Sequence, residues 1–278
     1  MAEDVQAVEP RIGVVIGGTS GIGRAIAVRF AQEGFRVVVA GRDATRGAEA
    51  AEACRAAGAP DMRFIETDVG DAGSVDALGR GVVAAFGVPH AVVNCAGILQ
   101  SGKRVLDQDL DEDERMWRIN YRGTLLGCQV FGRLMSDAGR GALLNVGSLA
   151  SFAPLSLPAY TPGKHAVLAL TEILAAELGP KGVRVNAVAP GYTLSDGLKA
   201  KIAKGERNPE AIQATTALRR FVEPREIRVD PGRHRLSISA PGFVTRTDEL
   251  SAWRTAPIAV ICESGGRSLA ARSCVVAL

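Results

Sequence analysis

Short apolar runs alternate with longer segments of helical length from residue 12 to about residue 190. Six of these runs are mostly rich in β-branched residues, as buried parallel strands tend to be, and they cover residues 12–16, 36–40, 63–67, 91–94, 142–146 and 183–188. The repeated order of strand, helix and strand predicts an α/β protein with a doubly wound parallel sheet and helices on both faces. An α/β fold of another kind is the alternative.

The segments between the strands carry helix start and stop signals. Glycine follows three helix-length segments, which end at residues 33, 86 and 178. Ser74 is the predicted N-cap of the second of these helices. The sequence has no evident internal repeat or low-complexity segment, so a single domain is expected.

The composition excludes several classes of protein. Apolar residues make up 47% of the chain and charged residues 23%, and 33 basic residues nearly balance 30 acidic ones. Because these charges are interspersed, the sequence gives no reason to expect a nucleic-acid or membrane partner. The five cysteines are widely spaced without a CxxC pair, so neither a disulfide framework nor a zinc site is expected. With no signal-peptide pattern in the first ten residues, we expect a soluble cytoplasmic protein without a metal.

A glycine-rich loop directly follows the first predicted strand and opens the first helix. Glycines in this position let the backbone turn tightly and approach a pyrophosphate, whose charge then lies at the helix N-terminus. A structural turn is the alternative. The candidate cofactor-binding residues of this loop are Gly17, Thr19, Ser20, Gly21, Ile22 and Gly23.

A tyrosine and a lysine four residues apart, Tyr160 and Lys164, share one face of a predicted helix. A free phenol is protonated near neutrality, but a neighbouring ammonium and an oxidised nicotinamide both favour the phenolate. Tyr160 is therefore a candidate proton donor and acceptor. Pro162 and Gly163 lie between the pair, and we expect them to weaken the start of the helix.

Together these features resemble the short-chain dehydrogenase/reductase family, classical type, whose glycine signature is T-G-x-x-x-G-x-G. Ile16 stands at the threonine position of that signature. Asp68 and Val69 resemble the family's adenine-contacting pair, and residues 94–97 resemble its N-N-A-G segment with Cys95 in place of the second asparagine. Residues 186–191 resemble its N-x-x-x-P-G segment. The cofactor-binding candidates that they add are Asp68, Val69, Asn94, Ala96, Gly97, Pro190 and Gly191.

The resemblance implies a Rossmann fold and four catalytic residues. Tyr160 would be the acid/base, Lys164 would also hold the nicotinamide ribose, Ser148 would position the carbonyl, and Asn120 would complete a proton relay through water. Taken singly, each has a structural alternative: an aromatic at the edge of the core, a solvated lysine, a turn serine and a capping amide.

The end of the second predicted strand bears on the choice of dinucleotide. An acid there would bind the ribose of NAD, but the sequence has Gly41 at that position, followed by Arg42, a cation suited to a 2′-phosphate. This favours NADP(H), with NAD as the alternative. Asp43 and Arg46 leave the choice open because either could turn toward the ribose.

The resemblance covers residues 10–228, which we expect to form the catalytic domain, and fades after residues 223–227. Residues 229–278 form a divergent segment in which the family's apolar helix and final strand are not recognisable. We hypothesise that the reading frame shifts after Ile227, with a native divergent C-terminus as the alternative. Loss of the final strand would expose a sheet edge, so a homo-oligomer is expected only if the C-terminus allows it.

The predicted function is an oxidoreductase that interconverts a secondary alcohol and a carbonyl, acting on a small-molecule substrate. A dinucleotide-binding sensor or scaffold without turnover and a defective enzyme with a damaged C-terminus are the alternatives. The substrate pocket is expected from the segment 94–99, from residues between Ser148 and Tyr160, and from residues 192–219. These segments do not identify the substrate.

Overall fold

The computed structural model describes residues 10–152, 155–216 and 218–227, together with the backbone of three short strands at 235–238, 246–249 and 259–261. All six predicted strands are confirmed, with ends that differ by at most one residue. They are β1 (Ile12–Ile16), β2 (Arg36–Gly41), β3 (Met62–Glu66), β4 (Ala91–Asn94), β5 (Gly141–Val146) and β6 (Val183–Ala189).

These strands form one parallel sheet in the order β3-β2-β1-β4-β5-β6. Strand β1 pairs with β2 on one side and with β4 on the other, so the winding of the chain reverses beside β1. In an open α/β sheet, ligands bind in the crevice outside the carboxyl ends of the strands at such a reversal. The Rossmann architecture predicted from the sequence is thus confirmed, and it locates the site.

Helices connect the strands, and they are α1 (Gly21–Gln32), α2 (Ala44–Ala56), α3 (Ala72–Phe86), α4 (Leu110–Met116), α5 (Gly123–Asp137) and α6 (Tyr160–Leu178). A π-helical segment, Trp117–Arg122, joins α4 to α5, and α7 (Asp196–Ala203) and α8 (Pro209–Thr215) follow β6.

The predicted N-cap of α3 is wrong. Asp71 caps this helix by accepting hydrogen bonds from the N–H groups of Gly73 and Ser74. The Ser74 hydroxyl instead accepts a bond of 3.0 Å from the N–H of Asp68. Both residues are good caps, and the carboxylate is the one that reaches the free N–H groups.

The core lies on both faces of the sheet. On one face, Val15 and Val39 pack with Ala27 of α1 and Cys54 of α2. On the other face, alternate strand residues pack with side chains of α3, α5 and α6, among them Phe131, which is fully buried. The strands are covered on both sides, which explains why they read as continuous apolar runs rather than as an alternating pattern.

The C-terminal segment is described only in part. Residues 223–227, after which the resemblance fades, contain a single 3₁₀ turn, Pro224–Glu226. Strands β7 (Arg235–Ile238) and β8 (Arg246–Glu249) pair antiparallel, and β9 (Ala259–Ile261) pairs parallel with residues 187–189 of β6. A strand therefore lies beside β6, where the sequence predicted an exposed edge. The rest of the segment 229–278 lies outside the described residues, so the frame-shift hypothesis stays a prediction.

Candidate active site

A cleft of about 760 Å³ opens at the carboxyl ends of the central strands, a volume suited to a small molecule or cofactor. It is lined both by the glycine loop after β1 and by the first turn of α6. The structure brings most of the predicted site residues to this cleft: Gly17, Thr19, Ser20, Gly21, Ile22, Gly23, Arg42, Val69, Ala96, Gly97, Ser148, Tyr160, Lys164, Pro190 and Gly191.

The glycine loop packs directly against the segment that follows β4. The N–H groups of Gly17 and Gly18 donate to the Ala40 carbonyl at 2.8 and 3.2 Å. Gly17 has a φ of +82°, and a Cβ placed there would lie 2.5 Å from the backbone N and Cα of Ala96. Only glycine fits this turn, because a side chain would adopt a strained backbone conformation and would also clash with the backbone of the segment after β4.

The N-terminus of α1 points its free N–H groups into the cleft region. Ser20 is the N-cap, but among the described residues its side chain makes no capping bond. The Gly21 N–H instead donates to Oδ2 of Asp196, on α7, at 3.1 Å. This helix end therefore binds a negatively charged group through a backbone N–H, as expected of a phosphate-binding loop.

At the end of β2, three charged side chains take different roles. Asp43 caps α2 by accepting from the Arg46 N–H at 3.0 Å, and its carboxylate also forms an ion pair of 3.3 Å with Arg46 Nε. Arg42 is exposed, lines the cleft and has no ion-pair partner among the described residues. The Asp43 carboxylate and the Arg46 guanidinium are thus engaged with each other, and the Arg42 guanidinium is not.

Tyr160 is the first residue of α6, and Lys164 lies one turn later. The Lys164 side chain is buried, and its ammonium donates a bond of 2.7 Å to the Val146 carbonyl at the end of β5. The same ammonium lies 5.7 Å from the centroid of the Tyr160 ring. Because a buried charge needs a fixed polar partner, this bond anchors the Lys164 side chain beside Tyr160.

Ser148 follows β5 and caps a short 3₁₀ turn, Leu149–Ser151. Its hydroxyl accepts from the Ala150 N–H at 3.1 Å, and its own N–H donates to Ser151 Oγ at 3.2 Å. Ser151 Oγ in turn donates to the Lys164 carbonyl at 2.7 Å. The turn that carries Ser148 is therefore tied to the helix that carries Tyr160.

Asn120 lies behind the cleft wall rather than on it. It is 1% exposed, within the π-helical segment, and its side-chain amide bonds both the N–H and the carbonyl of Ile98, at 2.8 and 3.0 Å. A Cβ at Gly97 would lie 3.3 Å from Asn120 Oδ1 and 4.0 Å from Lys164 Nζ. Asn120 thus holds the loop after β4 close to Lys164.

Asn94 and Asp68 also lie outside the cleft lining. The Asn94 amide is turned into the core, where its Nδ2 donates to Asn145 Oδ1 at 2.9 Å and to Cys128 Sγ at 3.3 Å. The exposed Asp68 carboxylate accepts from the Gly70 N–H at 2.8 Å. The Asn94 amide thus bonds to core residues distant in sequence, and the Asp68 carboxylate bonds to its own turn.

Gln100 lies just outside the predicted pocket segments, and Asp196 lies within one of them but had no predicted role. Gln100 is 1% exposed, and its Oε1 accepts from the N–H groups of Ala159 and Tyr160 at 2.9 and 3.0 Å. A lone glutamine in a loop, or a lone aspartate at the start of a helix, follows no motif that would have identified its contacts. The predicted pocket segments do contribute lining residues, which are mostly apolar: Ile98, Leu99, Leu149, Leu155, Leu157 and Tyr192.

Cys95, the departure from the N-N-A-G pattern, also lines the cleft. Burial raises the pKa of its thiol to about 11, an effect that the nearby Lys164 charge opposes only in part. The thiol is therefore neutral near pH 7 and unsuited to act as a nucleophile.

The described part of the chain holds no cluster of three potential metal-ligating side chains, and none of its helices is long and apolar enough to cross a membrane.

A family model described as short chain dehydrogenase matches residues 11–206. Probable oxidoreductase EphD of Mycobacterium tuberculosis is 38% identical over 179 residues, which are 64% of this chain and only 30% of that longer relative. D-threitol dehydrogenase of Mycolicibacterium smegmatis is 37% identical over 220 residues, or 78% of this chain and 82% of the relative.

Among solved structures, a putative NAD(P) dependent gluconate 5-dehydrogenase from Beutenbergia cavernae, with bound NADP, aligns with a TM-score of 0.71 and 31% identity. The alignment covers 78% of this chain and 86% of that one.

Proposed function

The chain belongs to the short-chain dehydrogenase family, and we propose that it is an NADP(H)-dependent oxidoreductase that interconverts a secondary alcohol and a carbonyl compound. One observation carries this proposal: Tyr160 and Lys164 lie one turn apart at the start of α6, in the cleft that the glycine loop also lines. A proton-transferring side chain and a phosphate-binding loop thus face one space.

The loop has the features that a dinucleotide requires. A side chain at Gly17 would fill the space beside Ala96, and the Gly21 N–H at the start of α1 already donates to the Asp196 carboxylate. These features fit a pyrophosphate. Arg42 supports NADP(H) over NAD because its guanidinium is free of ion pairs among the described residues, whereas Asp43 is committed to capping α2.

In the proposed reaction, the chain holds the substrate oxygen and moves one proton. A nicotinamide cofactor, when bound, would supply or accept the hydride. The Tyr160 hydroxyl donates a proton to the carbonyl oxygen during reduction and takes it back from the alcohol during oxidation. The Ser148 hydroxyl donates a hydrogen bond to the same oxygen, and Lys164 holds Tyr160 and the cofactor ribose in place. Asn120 supports this set through the loop after β4.

The first experiment measures cofactor binding and carbonyl reduction with the purified full chain. NADPH and NADH are titrated by fluorescence, and a carbonyl panel is then assayed with each. The panel includes the ketone products of D-threitol and gluconate oxidation because two relatives carry those substrates in their names. Turnover that is lost in Tyr160→Phe while NADPH still binds would support the proposal.

The cofactor preference is tested with two neighbouring arginines. Loss of a charge-assisted contact costs about 1.5–3 kcal/mol, so Arg42→Ala is expected to weaken NADPH binding by about 10–150-fold with little effect on NADH. Arg46→Ala is the matched control because Arg46 is paired with Asp43. Equal effects of the two changes would refute the role of Arg42.

The second candidate function is dinucleotide binding without turnover, which the presence of Pro162 in the first turn of α6 favours. Tight NADPH binding with no reduction of any carbonyl by the wild-type chain would support it. Insoluble protein would instead support a defective enzyme.

A further inference from the structure

Gln100 makes a set of hydrogen bonds that joins the loop after β4 to the start of α6. Its Oε1 accepts two N–H groups, those of Ala159 and Tyr160. Its Nε2 donates to Gln108 Oε1 at 2.9 Å and to the Lys103 carbonyl at 3.4 Å. A buried side-chain amide with both ends engaged has one defined orientation.

The start of α6 lacks a cap from its own sequence. Ala159 occupies the N-cap position and has no side chain that could accept the free N–H groups of the first turn. Gln100 supplies a side-chain acceptor from a position 59 residues earlier than Ala159. The Tyr160 N–H is shared, because it also donates to the Leu157 carbonyl at 3.1 Å. Pro162 and Gly163 weaken the same turn. The bonds to Gln100 should therefore contribute more to the stability of this helix start than they would in a helix without these two residues.

The loop that carries Gln100 is itself held on two sides. The side-chain amide of Asn120 bonds to the backbone of Ile98 through both its oxygen and its nitrogen, and Arg207 Nη2 donates to the Gln100 carbonyl at 3.2 Å. The bond from Gln100 to Tyr160 therefore connects the tyrosine to a braced part of the cleft wall. A shift of Gln100 would move the Tyr160 backbone relative to Gly97 and the rest of the cofactor cleft.

We propose that Gln100 is a positioning residue, which fixes the backbone of Tyr160, and so its hydroxyl, by accepting the N–H groups of Ala159 and Tyr160. The effect on catalysis rests on the proposed function of Tyr160, but the effect on the helix start does not. Gln100 itself is not expected to touch the reacting atoms.

Three variants separate positioning from general stability. Gln100→Leu removes the acceptor, Gln100→Glu keeps an acceptor oxygen, and Gln108→Leu removes only the partner of Gln100 Nε2. We expect Gln100→Leu to lower kcat for carbonyl reduction at least tenfold, with the NADPH Kd changed less than twofold. Gln100→Glu should recover at least a third of the wild-type kcat, and Gln108→Leu should stay within twofold of the wild type.

Amide hydrogen exchange of the apo protein gives a second readout that needs no turnover. In Gln100→Leu, exchange at Ala159 should accelerate at least tenfold relative to Gln108→Leu, and Gln100→Glu should restore protection. Unchanged exchange at the Ala159 amide would overturn the proposal, as would loss of kcat in step with the melting temperature across all three variants. A wild-type chain without turnover would defeat the proposed function, while the exchange result would still decide the role of Gln100.

Discussion

Replacing Gly17 with alanine tests whether the loop after β1 is built for close approach. A non-glycine residue in the left-handed region costs about 1–2 kcal/mol. The new Cβ would also lie 2.5 Å from two backbone atoms of Ala96, which cannot move without displacing the segment after β4. Overpacking of this kind adds about 1–3 kcal/mol, so Gly17→Ala should lower the free energy of unfolding by about 2–5 kcal/mol.

Gly34 is the matched control for this change. Its φ is +74°, close to that of Gly17, but a Cβ there meets nothing within 4 Å. Gly34→Ala should therefore cost only the backbone part, about 1–2 kcal/mol. Urea unfolding measures both losses, and a fluorescence titration with NADPH measures the cofactor affinity of each variant. Equal destabilisation by the two changes, or unaltered NADPH affinity in Gly17→Ala, would refute the reasoning.

Four further predictions concern other parts of the cleft and core. Pro162→Ala should preserve or raise kcat, and a large loss of kcat in this variant would mean that the proline sets the geometry. Gly163→Ala, whose Cβ meets nothing within 4 Å, should raise the free energy of unfolding by up to about 1 kcal/mol. Asp196→Asn removes the charge that a pyrophosphate would face at Gly21, so the NADPH Kd should fall by about two- to fivefold; an unchanged or higher value would contradict this. Burial raises the pKa of Cys54 to about 11 and that of Cys128 to about 12, which favours the thiol, so mass mapping at pH 8 should find neither alkylated by iodoacetamide until urea is added.

The sequence predicted the strands well because most of them are buried on both faces. Strands β1 and β4, for example, form continuous apolar runs, and pairing with their neighbours fixes where each strand ends. The glycine loop and the pair Tyr160 and Lys164 were visible for a similar reason, since each depends on spacing within one element. Asn94 was harder to assign because a buried amide can face either the cleft or the core, and only the position of Asn145 shows which.

Contacts between distant parts of the chain could not be predicted in this way. The bond from Gly21 to Asp196 joins residues 175 apart, and the one from Tyr160 to Gln100 joins residues 60 apart. Neither side chain belongs to a pattern with a period, so nothing local indicates its partner. The N-cap of α3 shows the same limit at short range, because Asp71 and Ser74 are both suitable caps and the choice depends on the path of the preceding turn.

The weak start of α6 shows why local propensity does not decide the geometry of this cleft. Pro162 lies in the first turn, where its missing N–H has no partner within the helix. Three contacts from outside the helix then fix that turn: the bond from Lys164 Nζ to the Val146 carbonyl, the bond from Ser151 Oγ to the Lys164 carbonyl, and the pair of bonds accepted by Gln100. Because these contacts come from β5 and from the segments that follow β4 and β5, the surroundings of the helix rather than its own sequence set the position of Tyr160. A change at Pro162 should therefore alter activity much less than a change at Gln100.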